Sequence, residues 1–220
     1  MPQPRPLPVA SRLVEIGRRF YARGWVLGTS GNFSAVVSRQ PLRLAMTASA
    51  AHKGRLTAAD ILECDRHGAA VGPRARRTVA GRPARRPSAE TLLHVEIARQ
   101  LGAGAILHTH SVWTTVLSDL YAHDGGFGIE GYEMLKGLAG VSSHEHREWI
   151  PIVENDQDMP RLAASVGVVL RERAGLHAFL LRRHGLYTWG ATLADAERHV
   201  EILEFLFETI GRTVQFTMRN

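Results

Sequence analysis

Val9, Leu13, Ile16 and Phe20 recur at helical spacing and predict a helix over residues 9–23 that stops at Gly24. The run Gly28-Thr29-Ser30-Gly31-Asn32 predicts a turn, after which the pattern shortens. Phe33 to Ser38 and Leu42 to Thr47 are then expected as two short strands around Arg39-Gln40-Pro41. Thr57 is placed to cap a short helical turn running through Cys64, and Asp65 to Gly72 suits a turn or hairpin tip. Ser88 caps the next predicted helix, 89–101, but Thr91 stands where a capping box would have an acid or its amide. Leu92, Leu93, Ile97 and Leu101 mark the buried side of that helix, and Gly102 and Gly104 end it. Ala105-Ile106-Leu107 opens a buried strand running into His108. Helices are predicted at 111–120, 131–139 and 158–174, a strand at 177–182, and a long last helix from Thr192 to about Gly211. This alternation predicts an α/β domain, α+β in detail, built on a central sheet. It forms a single domain over 9–220 behind a proline-rich tail of residues 1–8.

Composition narrows the class. A chain of 220 residues with 45% apolar and 22% charged residues is neither disordered nor fibrous, and suits one folded domain. No stretch supplies the roughly 20 apolar residues of a membrane span, and the first residues lack the apolar core of a secretion signal. The single cysteine, Cys64, excludes an intrachain disulfide and fits a reducing cytoplasm. The net charge is +6, and Lys53 and Lys136 are the only lysines among the basic groups. Six arginines cluster at positions 74, 76, 77, 82, 85 and 86. With no stacking aromatics between them they suit a solvated loop, so neither nucleic acid nor membrane is expected as a partner. The positive field does suit a phosphorylated substrate.

Two H-x-H pairs stand out among eleven histidines: His108-Thr109-His110 and His144-Glu145-His146. Residues two apart on a strand share a face, so either pair could offer two imidazoles to one metal ion. The first pair ends an apolar strand; the second lies in a polar run expected as wet loop. His184, at the end of the strand Ala178-Phe179-Leu180-Leu181, is the candidate third ligand. His52, His67, His94, His123, His177 and His199 are expected on surfaces or helix faces. A three-histidine zinc site would act as a Lewis acid and would need a base. Glu90 and Glu133 are the nearest acids, although a helix-dipole role for Glu90 and a solvated position for Glu133 explain each alone. Ser30, Gly31 and Asn32, then Thr47 and Ser49, then Ser88 lie in hydroxyl-rich turns able to hold a phosphate. No segment matches a nucleotide-binding fingerprint.

Taken in order, Gly28 to Ser34, Met46 to Ser49, Pro87 to Thr91, His108 to Ser111 and Arg183-His184-Gly185 resemble the motifs of the class II aldolase/adducin family. The resemblance runs from about residue 9 to 211. It implies a three-layer domain with a central, mainly antiparallel sheet flanked by helices. It also implies one zinc ion per subunit on His108, His110 and His184, in a homotetramer with sites at subunit interfaces. Gly131 to Leu138, Ile150 to Asn155 and Arg182 to Gly190 are similar to the branch that dehydrates a sugar phosphate in methionine salvage. That likeness implies loss of water from 5-methylthioribulose 1-phosphate. It gives Glu133 the acid/base role, with Glu90, the base of the aldolase pattern, as a participant beside the metal. Phosphate would fall to Ser30, Gly31, Asn32, Thr47, Ser49 and Ser88. One turn departs from the family: its usual Thr-Pro-Ser-Gly reads Thr47-Ala48-Ser49-Ala50. The alternatives are a sugar-phosphate aldolase or 4-epimerase, and a non-catalytic adducin-like binding module. The presence of all three histidines and both glutamates counts against the module.

Overall fold

The first stripe becomes helix α1 (Val9–Ala22), which buries Leu13, Ile16 and Phe20; Gly24, at φ 78°, turns the chain away. The computed structural model describes residues 8–72 and 85–217, so the arginines at 74, 76, 77 and 82 lie outside the described residues. Strands β1 (Asn32–Arg39) and β2 (Leu42–Thr47) form the expected antiparallel hairpin. Thr57 does start a turn, with the Asp60 carboxylate accepting from its N–H at 2.8 Å. The turn is one short 3-10 turn, however, and Ile61–Asp65 is strand β3, not its continuation. Ile61, Leu62 and Cys64 are buried there, and burial pushes the Cys64 thiol up to about 12, leaving it inert. Strand β4 (Ala70–Val71) closes the hairpin expected over 65–72.

Helix α2 (Thr91–Leu101) starts just after Glu90, and the Ser88 hydroxyl accepts from the Glu90 N–H at 3.3 Å. Leu93 and Ile97 are buried as the periodicity requires, whereas Leu101 lies exposed at the helix end. The chain continues through β5 (Ala105–Thr109), α3 (Val112–Leu120), β6 (Gly126–Ile129), β7 (Glu148–Val153), α4 (Met159–Glu172), β8 (Ala178–Leu181), β9 (Gly185–Gly190) and α5 (Leu193–Thr217). At 131–139 a five-residue 3-10 turn, Glu133–Gly137, stands where a helix was expected; Gly131, Gly137 and Gly140 deny it length. Strands β6, β7 and β9 are additions to the predicted elements. All six residues of β9 are buried, so it carries no apolar–polar alternation to read.

The nine strands form one sheet in the order β4-β3-β2-β1-β5-β9-β8-β7-β6, antiparallel except where β7 meets β8. Helices α2 and α4 cover one face through Leu93, Ile97, Val166, Phe179 and Tyr187. Helices α1, α3 and α5 cover the other through Phe20, Phe33, Leu107, Leu117, Leu206 and Phe207. Side chains alternate along β5. Ile106 packs towards α2 and α4 while Leu107 packs towards α1, and Thr109 donates to Glu204 of α5 at 2.6 Å. That alternation puts His108 on the α2 side at the end of a central strand. Gly185 is required next to it, because a Cβ there would lie 2.0 Å from the Thr109 carbonyl. Among the described residues no helix is long and apolar enough to cross a membrane.

Candidate metal centre and its cavity

His108 is fully buried, and its Nδ1–H donates to the Leu186 carbonyl at 2.8 Å. The acceptor fixes the tautomer, so the Nε2 lone pair faces outward, 2.7 Å from His110 Nε2. Tyr187 stacks on the His108 ring at 4.0 Å between centroids and holds its plane. His184 arrives on the tight connection between β8 and β9, where Arg183 adopts φ 52°. Its Nδ1 faces Asn155 Oδ1 at 3.4 Å, which turns Nε2 towards the other two imidazoles. One ring nitrogen from each of His108, His110 and His184 lies within 4.8 Å of the others. Burial, reinforced by the neighbouring imidazoles, pulls His110 down to about 2 and His108 well below its ordinary value; burial lowers His184 too. Three neutral rings with converging lone pairs are the form a metal ion needs.

Glu90 completes the cluster, with Oε1 at 3.5 Å from His108 Nε2 and 3.3 Å from His184 Nε2. Its other oxygen accepts from Asn32 Nδ2. Asn32 Oδ1 accepts in turn from His94 Nε2, and His94 Nδ1 accepts from Ser34 Oγ at 2.8 Å. His94 does lie on a helix, α2, but on its fully buried face and not at the surface, and burial pulls its pKa down to about 4. A neutral ring accepting at one end and donating at the other orients Asn32, and through it Glu90. No local spacing joins the two halves of this relay, because Asn32 and Ser34 on β1 lie about sixty positions from Glu90 and His94 at the start of α2.

A cavity of about 150 Å³ opens beside His110 and Glu90, walled by the Thr29–Asn32 turn, the Ala48–Ala50 turn and Ser88. Ser30, Gly31, Ser49 and Ser88 line it as candidates. Gly31, at φ 68°, would carry a Cβ 2.6 Å from the His108 carbonyl, so no side chain fits there. Thr47 is not brought to the cavity; it is buried, its hydroxyl accepting from the Phe33 N–H at 3.0 Å. Asn32 lines the wall, but its amide is occupied by Glu90, His94 and Ser88. Ala50 adopts φ 55°, a left-handed conformation, at the position where the resembled motif has glycine. Glu133 is not brought to the histidines either. It lies exposed on the 3-10 turn, bonded to Lys136, which holds its carboxyl below the usual range, and 3.7 Å from His144 Nδ1.

The second H-x-H pair splits, with His144 exposed and His146 tied to Glu148 at 2.8 Å. Glu148, 2% exposed, also meets His177 Nδ1 at 3.0 Å, and His177 Nε2 donates to the Ala139 carbonyl at 2.8 Å. Burial pulls the His177 pKa down, but the bond and charge of Glu148 outweigh it and leave His177 above its ordinary value. Burial likewise works against the Glu148 carboxylate, and His177 wins, holding it below its ordinary value. Both His177 nitrogens then donate, so this cluster is an ion pair and has no lone pair there for a metal. Its stabilisation is complete between the ordinary values of 4.5 and 6.5, and fades as pH rises through the raised His177 pKa or falls through the lowered Glu148 pKa. Glu148→Gln should lower stability by about 3 kcal/mol near pH 5.5, with the deficit shrinking as pH rises through the raised His177 pKa. Denaturant melts of both proteins across pH check this; a deficit independent of pH would refute the pairing.

The family described as Class II Aldolase and Adducin N-terminal domain matches residues 11–210. The chain is 46% identical over 200 residues to the methylthioribulose-1-phosphate dehydratase of Methylococcus capsulatus, covering 90% of this chain and 91% of that one. It is 44% identical over 201 residues to the protein of the same name from Pseudomonas fluorescens, covering 91% and 90%. Among solved structures, the L-fuculose-1-phosphate aldolase of Thermus thermophilus aligns with a TM-score of 0.70 at 24% identity, covering 94% of this chain and 95% of that one. That likeness supports the fold alone. With a family match across nearly its whole length, relatives of this closeness and the expected three-layer sheet, the chain belongs to the class II aldolase and adducin family.

Proposed function

We propose that this chain removes water from 5-methylthioribulose 1-phosphate to give 5-methylthio-2,3-dioxopentyl phosphate, a step of methionine salvage. The observation that carries it is the set of three neutral imidazoles converging beside Glu90 at a hydroxyl-walled cavity, in a chain 46% identical to a protein of that name. An all-nitrogen trio with a carboxylate alongside suits one zinc ion per subunit, held by His108, His110 and His184. When bound, zinc would supply Lewis-acid polarisation of the substrate's carbonyl.

The remaining chemistry falls to the chain's own groups. The C3 proton must pass to a base, the C4–O bond must break, and the departing hydroxyl needs a proton to leave as water. The resulting enol then becomes the second ketone. Glu133 is assigned the acid/base role, and Glu90, beside the metal ligands, takes a secondary part in moving or holding protons. The turns carrying Ser30, Gly31, Ser49 and Ser88 would receive the phosphate, with Asn32 and Thr47 supporting them from behind. Glu133 points into solvent on its own chain. In a homotetramer with sites at subunit interfaces, as the family likeness implies, Glu133 would serve a neighbour's cavity. The working compartment is the cytoplasm.

The test is a product assay on zinc-loaded protein with the sugar phosphate, read by mass spectrometry. A product lighter by one water is expected. Retro-aldol fragments would replace the dehydratase by an aldolase, and absence of both zinc and turnover would favour a binding module.

A further inference from the structure

Lys53 is 1% exposed, yet it has no carboxylate partner among the described residues. Its Nζ donates to two backbone carbonyls, Thr29 at 3.1 Å and Ala51 at 2.8 Å. Those carbonyls belong to the two turns that wall the cavity, one at Thr29–Asn32 and one beside Ala48–Ala50. The nearby Asp60 is already engaged by Arg85 at 2.7 Å and by Thr57. Glu90 attracts Lys53 only through space, and its oxygens face Asn32, His108 and His184. A Cβ on the following Gly54 would lie 2.5 Å from the Tyr21 ring, so the 3-10 turn Lys53–Arg55 sits flush against α1. Burial draws the ammonium down to about 8, opposed by Glu90 and Asp60, so it is still mainly charged at neutral pH.

An unpaired buried ammonium is unfavourable unless something anionic answers it. We propose that Lys53 is a positioning and specificity-determining residue for the anionic end of the substrate: its charge draws a phosphate group into the cavity, and its two hydrogen bonds fix the spacing of the turns that receive it. The inference rests on the phosphate placement given above and adds to it a residue that does not line the cavity wall. It predicts that charge, and not hydrogen bonding alone, selects a phosphorylated substrate.

Three variants separate the roles. Lys53→Gln keeps donors for the two carbonyls and removes the charge, Lys53→Met removes both, and Lys53→Arg keeps the charge. Inorganic phosphate is titrated calorimetrically into each zinc-loaded protein, with zinc content and thermal midpoint recorded. For Lys53→Gln, phosphate binding is expected to weaken about tenfold or more at unchanged zinc content, with Lys53→Arg retaining part of it. In turnover, KM for the sugar phosphate should rise while kcat stays within about threefold. Phosphate affinity in Lys53→Gln equal to that of the natural protein would overturn the proposal, as would failure of the natural protein to bind phosphate. If Lys53→Met does not fold, the Lys53→Gln comparison decides. Loss of turnover on the sugar phosphate with phosphate binding intact would remove the dehydratase and leave Lys53 in place.

Discussion

Replacing His110 by alanine is expected to abolish dehydration and strip the proposed zinc ion while leaving the fold intact. The side chain is only partly enclosed, and its Nε2 faces His108 Nε2 at 2.7 Å. Its backbone N–H, which donates to the Trp25 carbonyl at 2.7 Å, survives the substitution. Packing loss is therefore small, and the thermal midpoint should fall by no more than a few degrees. The chemical loss is large, because two imidazoles do not retain a catalytic zinc and the polarisation it supplies is worth several kcal/mol. A fall in kcat/KM of about 10³-fold or more follows. His108→Ala loses as much activity and also stability, since it opens a void beneath the stacked Tyr187 ring. Zinc analysis alongside the kinetics decides; full zinc and activity in His110→Ala would remove the three-histidine centre.

The sequence made some of this centre legible and hid the rest, for physical reasons. His108 and His110 can be read because strand periodicity puts positions two apart on one face, and their ring nitrogens do converge although His110 lies one residue past the end of β5. His184 can be read from its place at the end of an apolar strand, but its orientation depends on Asn155 and on the φ of 52° at Arg183, which no pattern signals. His94 and His177 have the local appearance of ordinary helix-face or loop residues. Their roles come from Ser34, Asn32 and Glu148, brought in by sheet pairing and helix packing. Thr47 lies in the turn region that resembles the family, yet strand β2 turns its hydroxyl inward to the Phe33 N–H. Strands β6, β7 and β9 escape for a simpler reason. Glycine, proline and two-sided burial erase the alternation by which a half-exposed strand is recognised.

Glu133→Gln is expected to lower kcat about 10²- to 10⁴-fold, the range set by removing a positioned acid or base, with zinc content unchanged. Among the described residues the carboxyl pairs only with Lys136 and His144, so neither the fold nor the histidine cluster depends on it. Glu90→Gln should behave differently. Its Oε1 lies 3.3 Å from His184 Nε2 and 3.5 Å from His108 Nε2, and its charge would offset that of an ion held there. An amide there should weaken zinc binding about 10- to 100-fold as well as slowing turnover. Full activity in Glu133→Gln with loss in Glu90→Gln would transfer the acid/base role to Glu90. The same variants test where Glu133 acts. If it serves a neighbouring cavity, His110→Ala and Glu133→Gln chains, each inactive alone, should regain activity when unfolded and refolded together. Mixed assemblies would then contain cavities that join an intact histidine trio to an intact Glu133 from another chain. Were both groups supplied by one chain, every cavity in the mixture would lack one or the other, and activity would stay at the level of the separate variants.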